Sequence, residues 1–482
     1  MATSLTTDNP VVVAPVAGRV ARAFVALGSG EVTARLIAFA GMLYVARTLG
    51  PERYGVIGFA LAVLLYLQRL ADAGFDLGVG VREVAAHRDQ LDSMVPALLT
   101  VRAAIAILIA GTAAGLSLIF LPSPDGKVLA LYCAAVIAVG ISTSWVHVGL
   151  EHARRVAAAR VVGECVALGV LLLAVHGAAD VARVPIAQVI GDGLTAVILL
   201  VILARSGIVV LPRVDLRVAL PLLRQGWHLM AASLFGLALY NSDLLFLRFF
   251  RGSESVGYYA AAYTVVAFCL NVGIAYGLSL LPVLSACRAD AGEHRKLFET
   301  ALAHVFVFLI PVVVGGAVVA PAIVALVLGP TYVPAAAALR LLIWSLVPGV
   351  LCNVAVVGLL SVGREADVLR AFALTLVVVT VLDIVLISRF GIPGAAVATI
   401  LGESVRLALT MYAAKRARIG GIALVRLWRP VVAVSAMAAV LLLFEPQTLV
   451  TALVWGAASY AVALVLMGAV RLRAGQIPVL SV

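Results

Sequence analysis

The chain has 482 residues, of which 63% are hydrophobic and 12% charged, and its mean hydropathy is +1.14. No water-soluble fold hides so much apolar surface, so the composition excludes a soluble domain and indicates a polytopic membrane protein. The formal net charge of +11 invites a nucleic-acid reading, but its placement assigns it to topology, and no nucleic-acid partner is expected.

A membrane-crossing helix needs about 20 apolar residues. Fourteen candidate stretches occur, at approximately 24–46, 55–80, 96–121, 128–150, 158–176, 184–204, 226–249, 256–283, 300–328, 335–361, 368–388, 392–414, 430–444 and 447–470, the thirteenth short and the ninth interrupted. Each must be helical, because lipid offers the backbone no hydrogen-bond partners and the runs are too long and uniformly apolar for barrel strands. The expected fold class is an all-α polytopic membrane protein of about 14 transmembrane helices. The opening MATSLTTDNPVVVAPVAGRV lacks the basic start and cleavage site of a signal peptide, so the N-terminus is expected to be retained. With that end placed in the cytoplasm, the inner connections hold 23 Lys and Arg and the outer ones 7. This asymmetry predicts an even number of spans with both termini cytoplasmic.

Charges inside the apolar runs carry a desolvation cost and are the best guides to function. In the first span Glu31 and Arg35 lie four residues apart on one helical face, where they can pair; alternatively Arg35 lines a cavity and meets an anionic substrate. In the second, Arg69, Asp72 and Asp76 define another face near the cytoplasmic end, followed by Arg82. Interfacial snorkelling explains that face, and a gate formed by Asp72 and Arg82 is the functional alternative. Arg102 lies in the third apolar run. Glu164 and Asp192 are solitary acids in spans five and six without an obvious neighbour in sequence, so a partner on another helix or a bound proton is expected.

Residues 206–225 form the widest cytoplasmic break and read as a linker between an N-terminal lobe, 1–205, and a C-terminal lobe, 226–414; residues 415–482 add a basic segment and a final helix pair. LGPERYGVIGFA from Leu49 and RGSESVGYYAAA from Arg251 match at an offset of 202 residues, Gly50 and Gly55 aligning with Gly252 and Gly257. A six-helix offset keeps orientation, so the lobes are expected to be parallel repeats around a central cavity.

In span seven, Asn241 and Asp243 precede Arg248. Asp243 suits a coupling cation or sugar hydroxyls, or it pairs with Arg248. Asn271 in span eight adds a hydrogen-bonding group of the kind sugars use. PVVVGGAVVAPAI in span nine predicts a kink or interruption. Asp383 in span eleven poses the same choice as Asp243, while the spacing of three between Glu403 and Arg406 in span twelve favours a local pair. Five scattered cysteines show neither metal-ligand spacing nor a disulfide framework.

ARTLGPERYGVIGFA followed by LADAGFDLGVGVREVAAHR, then NSDLLFLRFFRGSESVGYYAAAY, LGPTYVPAAAALRLL and ISRFGIPGAAVATILGE, together resemble the polysaccharide-transporter (Wzx-like) flippases of the multidrug, oligosaccharidyl-lipid and polysaccharide exporter superfamily. The resemblance covers roughly residues 20–414; Asp383 stands where the family pattern often shows an asparagine. It implies a flippase of the bacterial cytoplasmic (inner) membrane acting in cell-surface, O-antigen or exopolysaccharide biosynthesis. Its substrate would be a polyprenyl-pyrophosphate-linked oligosaccharide moved to the outer leaflet by alternating access, with H+ or Na+ as the candidate coupling ion. Membrane lipid and polysaccharide polymerase or export proteins are the implied partners. The cavity-lining candidates are Arg35, Glu31, Asn241, Asp243, Asp383 and Asn271, and the gating candidates are Asp72 and Arg82.

A cation-coupled multidrug exporter of the same superfamily is the alternative. An enzyme of polysaccharide assembly is the rival from another class, but the outer connections are a few residues each and leave no room for a catalytic loop cluster. No phosphate loop, zinc spacing or dinucleotide fingerprint occurs in a credible context. The protein is expected not to be an enzyme and to need neither cofactor nor metal centre.

Overall fold

A computed structural model describes the backbone of residues 13–76, 78–422, 427–444, 448–468, 470–471 and 479–480, with the side chains of residue 30 and of residues 32–468 within those stretches. Among them, eighteen α-helices follow in order. The first seven are α1 Val13–Asp72, α2 Val79–Ala86, α3 Leu91–Phe120, α4 Asp125–Ile141, α5 Ser144–Gly149, α6 Ala153–Ala174 and α7 Arg183–Arg205. Next come α8 Leu216–Arg251, α9 Ser253–Ala286, α10 Ala291–Val318, α11 Ala320–Val327, α12 Ala335–Leu342 and α13 Leu346–Ser361. The last five are α14 Glu365–Leu382, α15 Ser388–Phe390, α16 Ile392–Arg416, α17 Trp428–Phe444 and α18 Leu449–Leu466. A two-residue antiparallel pair, Val470–Arg471 with Val479–Leu480, follows.

The protein is an α-helical multi-pass membrane protein. Among the described residues, twelve stretches are long and apolar enough to cross a bilayer, and α17 is a shorter apolar helix. The first of the twelve, Val32–Asp72, has 41 residues, or about 60 Å of helix, twice the roughly 30 Å hydrocarbon core. It is two crossings joined at Gly50, whose φ of 73° and ψ of 170° are not helical. Counting it twice and including α17 recovers the fourteen spans read from the sequence. Large apolar side chains such as Leu173, Phe249 and Leu466 are more than 80% exposed, an arrangement that lipid tolerates and water does not.

Contacts group the chain into two compact units, Met1–Val45 with Val63–Leu234, and Ala46–Ala62 with Phe235–Val482. This division differs from a boundary at 206–225, because helix α8 already begins at Leu216 inside the expected linker. In the first unit Phe75, Val79, Val84, Leu98, Trp145 and Leu203 form the packed core. The second unit is built on Phe298, Leu302, Val354, Ala355, Ala414 and their neighbours from α10, α13 and α16. Helices α17 and α18 pack on α10 through Val307, Ile310, Met437 and Leu441, and the Tyr460 hydroxyl donates to the Val307 carbonyl at 2.7 Å. The interruption expected in span nine falls at Val319, between α10 and α11.

Gly252, with φ 84° and ψ 178°, repeats the backbone turn of Gly50 202 residues earlier. Side chains with a Cβ rarely adopt that conformation. Within the second unit the paired motifs meet reciprocally. A Cβ on Gly55 would lie 1.7 Å from the Ser253 carbonyl oxygen, and one on Gly257 1.8 Å from that of Pro51. Since Pro51 and Ser253 are themselves equivalent positions, the contact has local two-fold character, and it explains why residues 46–62 count with the second unit. Gly257→Val is expected to cost about 3 kcal/mol or more, since backbone rather than a flexible side chain must move. The check is a lowered unfolding midpoint and a smaller monodisperse fraction in detergent; wild-type values would refute the contact.

Candidate functional site

The second unit buries an acidic cluster among α8, α9, α14, α16 and the turn after α14. Helix α8 supplies Tyr240, Ser242 and Asp243, α9 supplies Tyr259, and α16 supplies Thr399, Glu403 and Arg406. Asp383 opens a π-helical turn, Asp383–Ile387, between α14 and α15. Such wider turns recur at functional sites because they release backbone groups and re-aim side chains. Asp243 is 6% exposed and Asp383 1%.

Every contact of Asp243 comes from a neutral donor. Its Oδ1 accepts from the Leu244 amide at 2.8 Å, and its Oδ2 accepts a short hydrogen bond from the Tyr259 hydroxyl and a longer one, 3.4 Å, from Thr399. Ser242 donates to Asp383 Oδ2 at 2.7 Å, while Asp383 Oδ1 is buried with no hydrogen-bond partner. Among the described residues neither carboxylate has an ion-pair partner. The sequence left open a pair with Arg248; instead that guanidinium lies 5.8 Å from the Phe59 ring centroid.

A third acid, only partly exposed, is neutralised locally. Glu403 accepts from Arg406 in the pair that a spacing of three favours, and Arg406 also donates to the Tyr240 hydroxyl. The guanidinium lies between the rings of Tyr240 and Phe372, 5.0 and 5.3 Å from their centroids, which adds cation–π attraction. With that pair satisfied, Asp243 and Asp383 are the cluster's uncompensated acids. Both line a cavity of about 10 Å³ together with Ser242, Thr399, Glu403 and Arg406. That is room for one water or one small ion, and the donor set of oxygens suits a proton or a hard cation. No group of three or more His, Cys, Asp or Glu able to hold a metal ion occurs among the described residues.

The first unit carries a second ionic cluster, in which Arg102 and Asp72 are buried and Asp76 is exposed. Arg102 is fully buried on α3 and reaches Asp72 at 3.1 Å and Asp76 at 3.6 Å. Its guanidinium lies 5.2 Å from the Phe75 ring centroid and 5.8 Å from that of Trp145. Asp72 Oδ1 also accepts from the Asp76 amide at 3.0 Å, and Ser144 donates to Asp76 Oδ2 at 2.9 Å. The corner after α1 is thereby fixed to α3 and α5.

The other sequence candidates are placed differently. Asp72 is held by Arg102, whereas Arg82 is exposed and donates to the Gly78 carbonyl at 3.3 Å, so the two gating candidates are not brought together. Asn241 and Asn271 donate to carbonyls one turn earlier on their own helices, Leu237 at 3.2 Å and Ala267 at 2.8 Å, and neither lines the acidic cavity. Arg35 is exposed on α1, and the Glu31 side chain lies outside the described residues. Asp192 accepts from Gln188 on its own helix at 3.1 Å. Sequence reasoning missed Tyr259, Thr399 and Ser242 as partners of the acids and Arg102 as the partner of Asp72. An acid repeated at similar depth in spans seven and eleven was the available signal for the first cluster; for the second there was none in local spacing.

Comparison with known proteins agrees with this architecture. A family profile described as "Polysaccharide biosynthesis protein" matches residues 20–288. An Escherichia coli (strain K12) protein, named provisionally as an O-antigen transporter, is 24% identical over 227 residues, 46% of this chain and 54% of that protein. The match thus spans about half the length of that relative. Among solved structures, the lipid II flippase MurJ in an inward closed conformation superposes with a TM-score of 0.77 at 11% identity, covering 92% of this chain and 98% of that one. An inward-facing multidrug resistance transporter of the MATE family gives 0.63 at 16% identity, covering 80% and 94%. At such identities the likeness establishes the fold. These proteins are named as transporters and flippases, not as enzymes.

Proposed function

Because the chain belongs to the polysaccharide biosynthesis protein family, we propose that it is a flippase that carries a polyprenyl-pyrophosphate-linked oligosaccharide from the cytoplasmic to the outer leaflet by alternating access. The observation that carries this reading is a family match over more than half of a fourteen-span chain. The basic-residue asymmetry supports placement in a bacterial cytoplasmic membrane with both termini inside. In this reading the lobes 1–205 and 226–414 rock around the cargo. Arg35 engages the pyrophosphate through its permanently charged guanidinium, Asn241 and Asn271 meet the glycan, and polysaccharide polymerase or export proteins act downstream. The Asp243–Asp383 cavity supports ion coupling, with H+ or Na+ as the ion.

The same cavity favours one second reading, a cation-coupled multidrug exporter, since an ion site serves either cargo. Deletion of the gene in a strain without a redundant flippase separates them. The flippase reading expects lipid-linked oligosaccharide to build up in the inner leaflet and surface glycan to be lost, with rescue by the wild-type chain. Normal surface glycan without build-up overturns it, and new drug sensitivity in that strain supports the exporter.

A further inference from the structure

We propose that the ends of α10 and α16 on the basic, cytoplasmic side form a binding site for a phosphate-bearing anionic group at headgroup depth. A recess of about 460 Å³ opens there, lined by Arg295 and Glu299 of α10, Lys415 of α16, and Arg418, Gly420 and Gly421 of the loop that follows. Three cations face one carboxylate. Glu299 is occupied by Arg295 at 2.9 Å, and neither Lys415 nor Arg418 has an ion-pair partner among the described residues.

Backbone donors add to this charge. The chain reverses with φ of 58° at Arg418 and 115° at Gly420, and the amides of Gly420 and Gly421 find no acceptor among the described residues. A Cβ on Gly420 would lie 3.0 Å from Glu299 Oε1, and one on Gly421 3.3 Å from Lys415 Cε, so bare backbone lies against the charged side chains. Unsatisfied amides beside guanidinium and ammonium groups make a phosphate-type anion site: the guanidinium offers paired donors, the ammonium a point charge, and the amides fixed dipoles. The positive-inside rule accounts for basic residues on this face, but not for their convergence on a recess with free amides. Its place at the ends of two membrane-crossing helices sets it at the level of lipid phosphates. An anionic phospholipid and the pyrophosphate of a lipid carrier share this chemistry.

The test uses the full-length protein and reads binding rather than transport, so its failure is separable from failure of the flippase reading. Unfolding midpoints are measured in detergent against inorganic pyrophosphate, and in phosphatidylcholine nanodiscs with and without phosphatidylglycerol. Saturable stabilisation by at least one probe is expected. The Lys415→Gln/Arg418→Gln variant should weaken it about tenfold or more. A control that removes equal charge outside the recess, Lys296→Gln/Arg416→Gln, should leave it unchanged. A pyrophosphate response identifies a terminal phosphate as sufficient, and a response to phosphatidylglycerol alone assigns the site to membrane phospholipid. Equal weakening in both variants, or no response of the wild type to either probe, overturns the proposal. All four substituted side chains are exposed; if the double variant melts early without ligand, Arg418→Gln alone replaces it.

Discussion

Asp243→Asn and Asp383→Asn are each expected to abolish transport while leaving the protein as stable as the wild type or more so. Both carboxylates are buried with neutral donors only, so in the proposed coupling mechanism a proton or cation balances their charge. Replacing one by an amide of the same shape removes a desolvation cost and the ion's ligand together. A residue retained only for packing would show neither the gain in stability nor the loss of activity. Tyr259→Phe and Thr399→Val, which withdraw a donor from Asp243, should lower transport by about ten- to a hundredfold, as loss of supporting hydrogen bonds around a charged ligand commonly does. The measurement is uptake of lipid-linked oligosaccharide in proteoliposomes under imposed Na+ or proton gradients, alongside unfolding midpoints. Wild-type transport by Asp383→Asn with unchanged gradient dependence would remove the cavity from the coupling mechanism.

The opposite signature is expected in the first unit. Arg102→Leu leaves Asp72 and Asp76 without their cation and should destabilise the protein by about 3–5 kcal/mol, the usual consequence of breaking a buried ion pair from one side. Neutralising the acids as well, in Arg102→Leu/Asp72→Asn/Asp76→Asn, should restore most of that loss, because no uncompensated charge remains. Thermal unfolding in detergent checks both. A single variant as stable as the wild type would mean that the acids find another partner and that the cluster does not hold the corner after α1.

The two clusters differ in how far local sequence exposed them. Glu403 and Arg406 were legible because a spacing of three puts them on one helical face. Asp243 and Asp383 were legible as acids that lipid would not tolerate without a reason, but their partners were not. Ser242 reaches Asp383 across 141 positions and Thr399 reaches Asp243 across 156, and no periodicity encodes a contact between helices. Asp72 illustrates the same limit at shorter range. Its neighbour in sequence, Arg82, lies on α2 and turns to the Gly78 carbonyl, while the cation that pairs with it is 30 residues away on α3. Asn241 and Asn271 are polar groups inside spans, yet each donates one turn back along its own helix, an option that any helical amide has and that sequence does not weigh.

What the sequence determined by itself follows from one-dimensional physics. Uninterrupted apolar length sets the number of crossings, the helical state follows because a backbone in lipid must bond to itself, and the imbalance of Lys and Arg predicts orientation. The repeat of Gly50 and Gly55 at Gly252 and Gly257 was visible in the same way, since a backbone turn without Cβ leaves its mark on residue identity. Tertiary structure alone decided which acids keep a cation and which do not. That outcome depends on which helices pack together, and packing is set by shape and desolvation summed over many residues, so the uncompensated pair Asp243 and Asp383 emerged only when α8, the turn after α14 and α16 were brought around one small cavity.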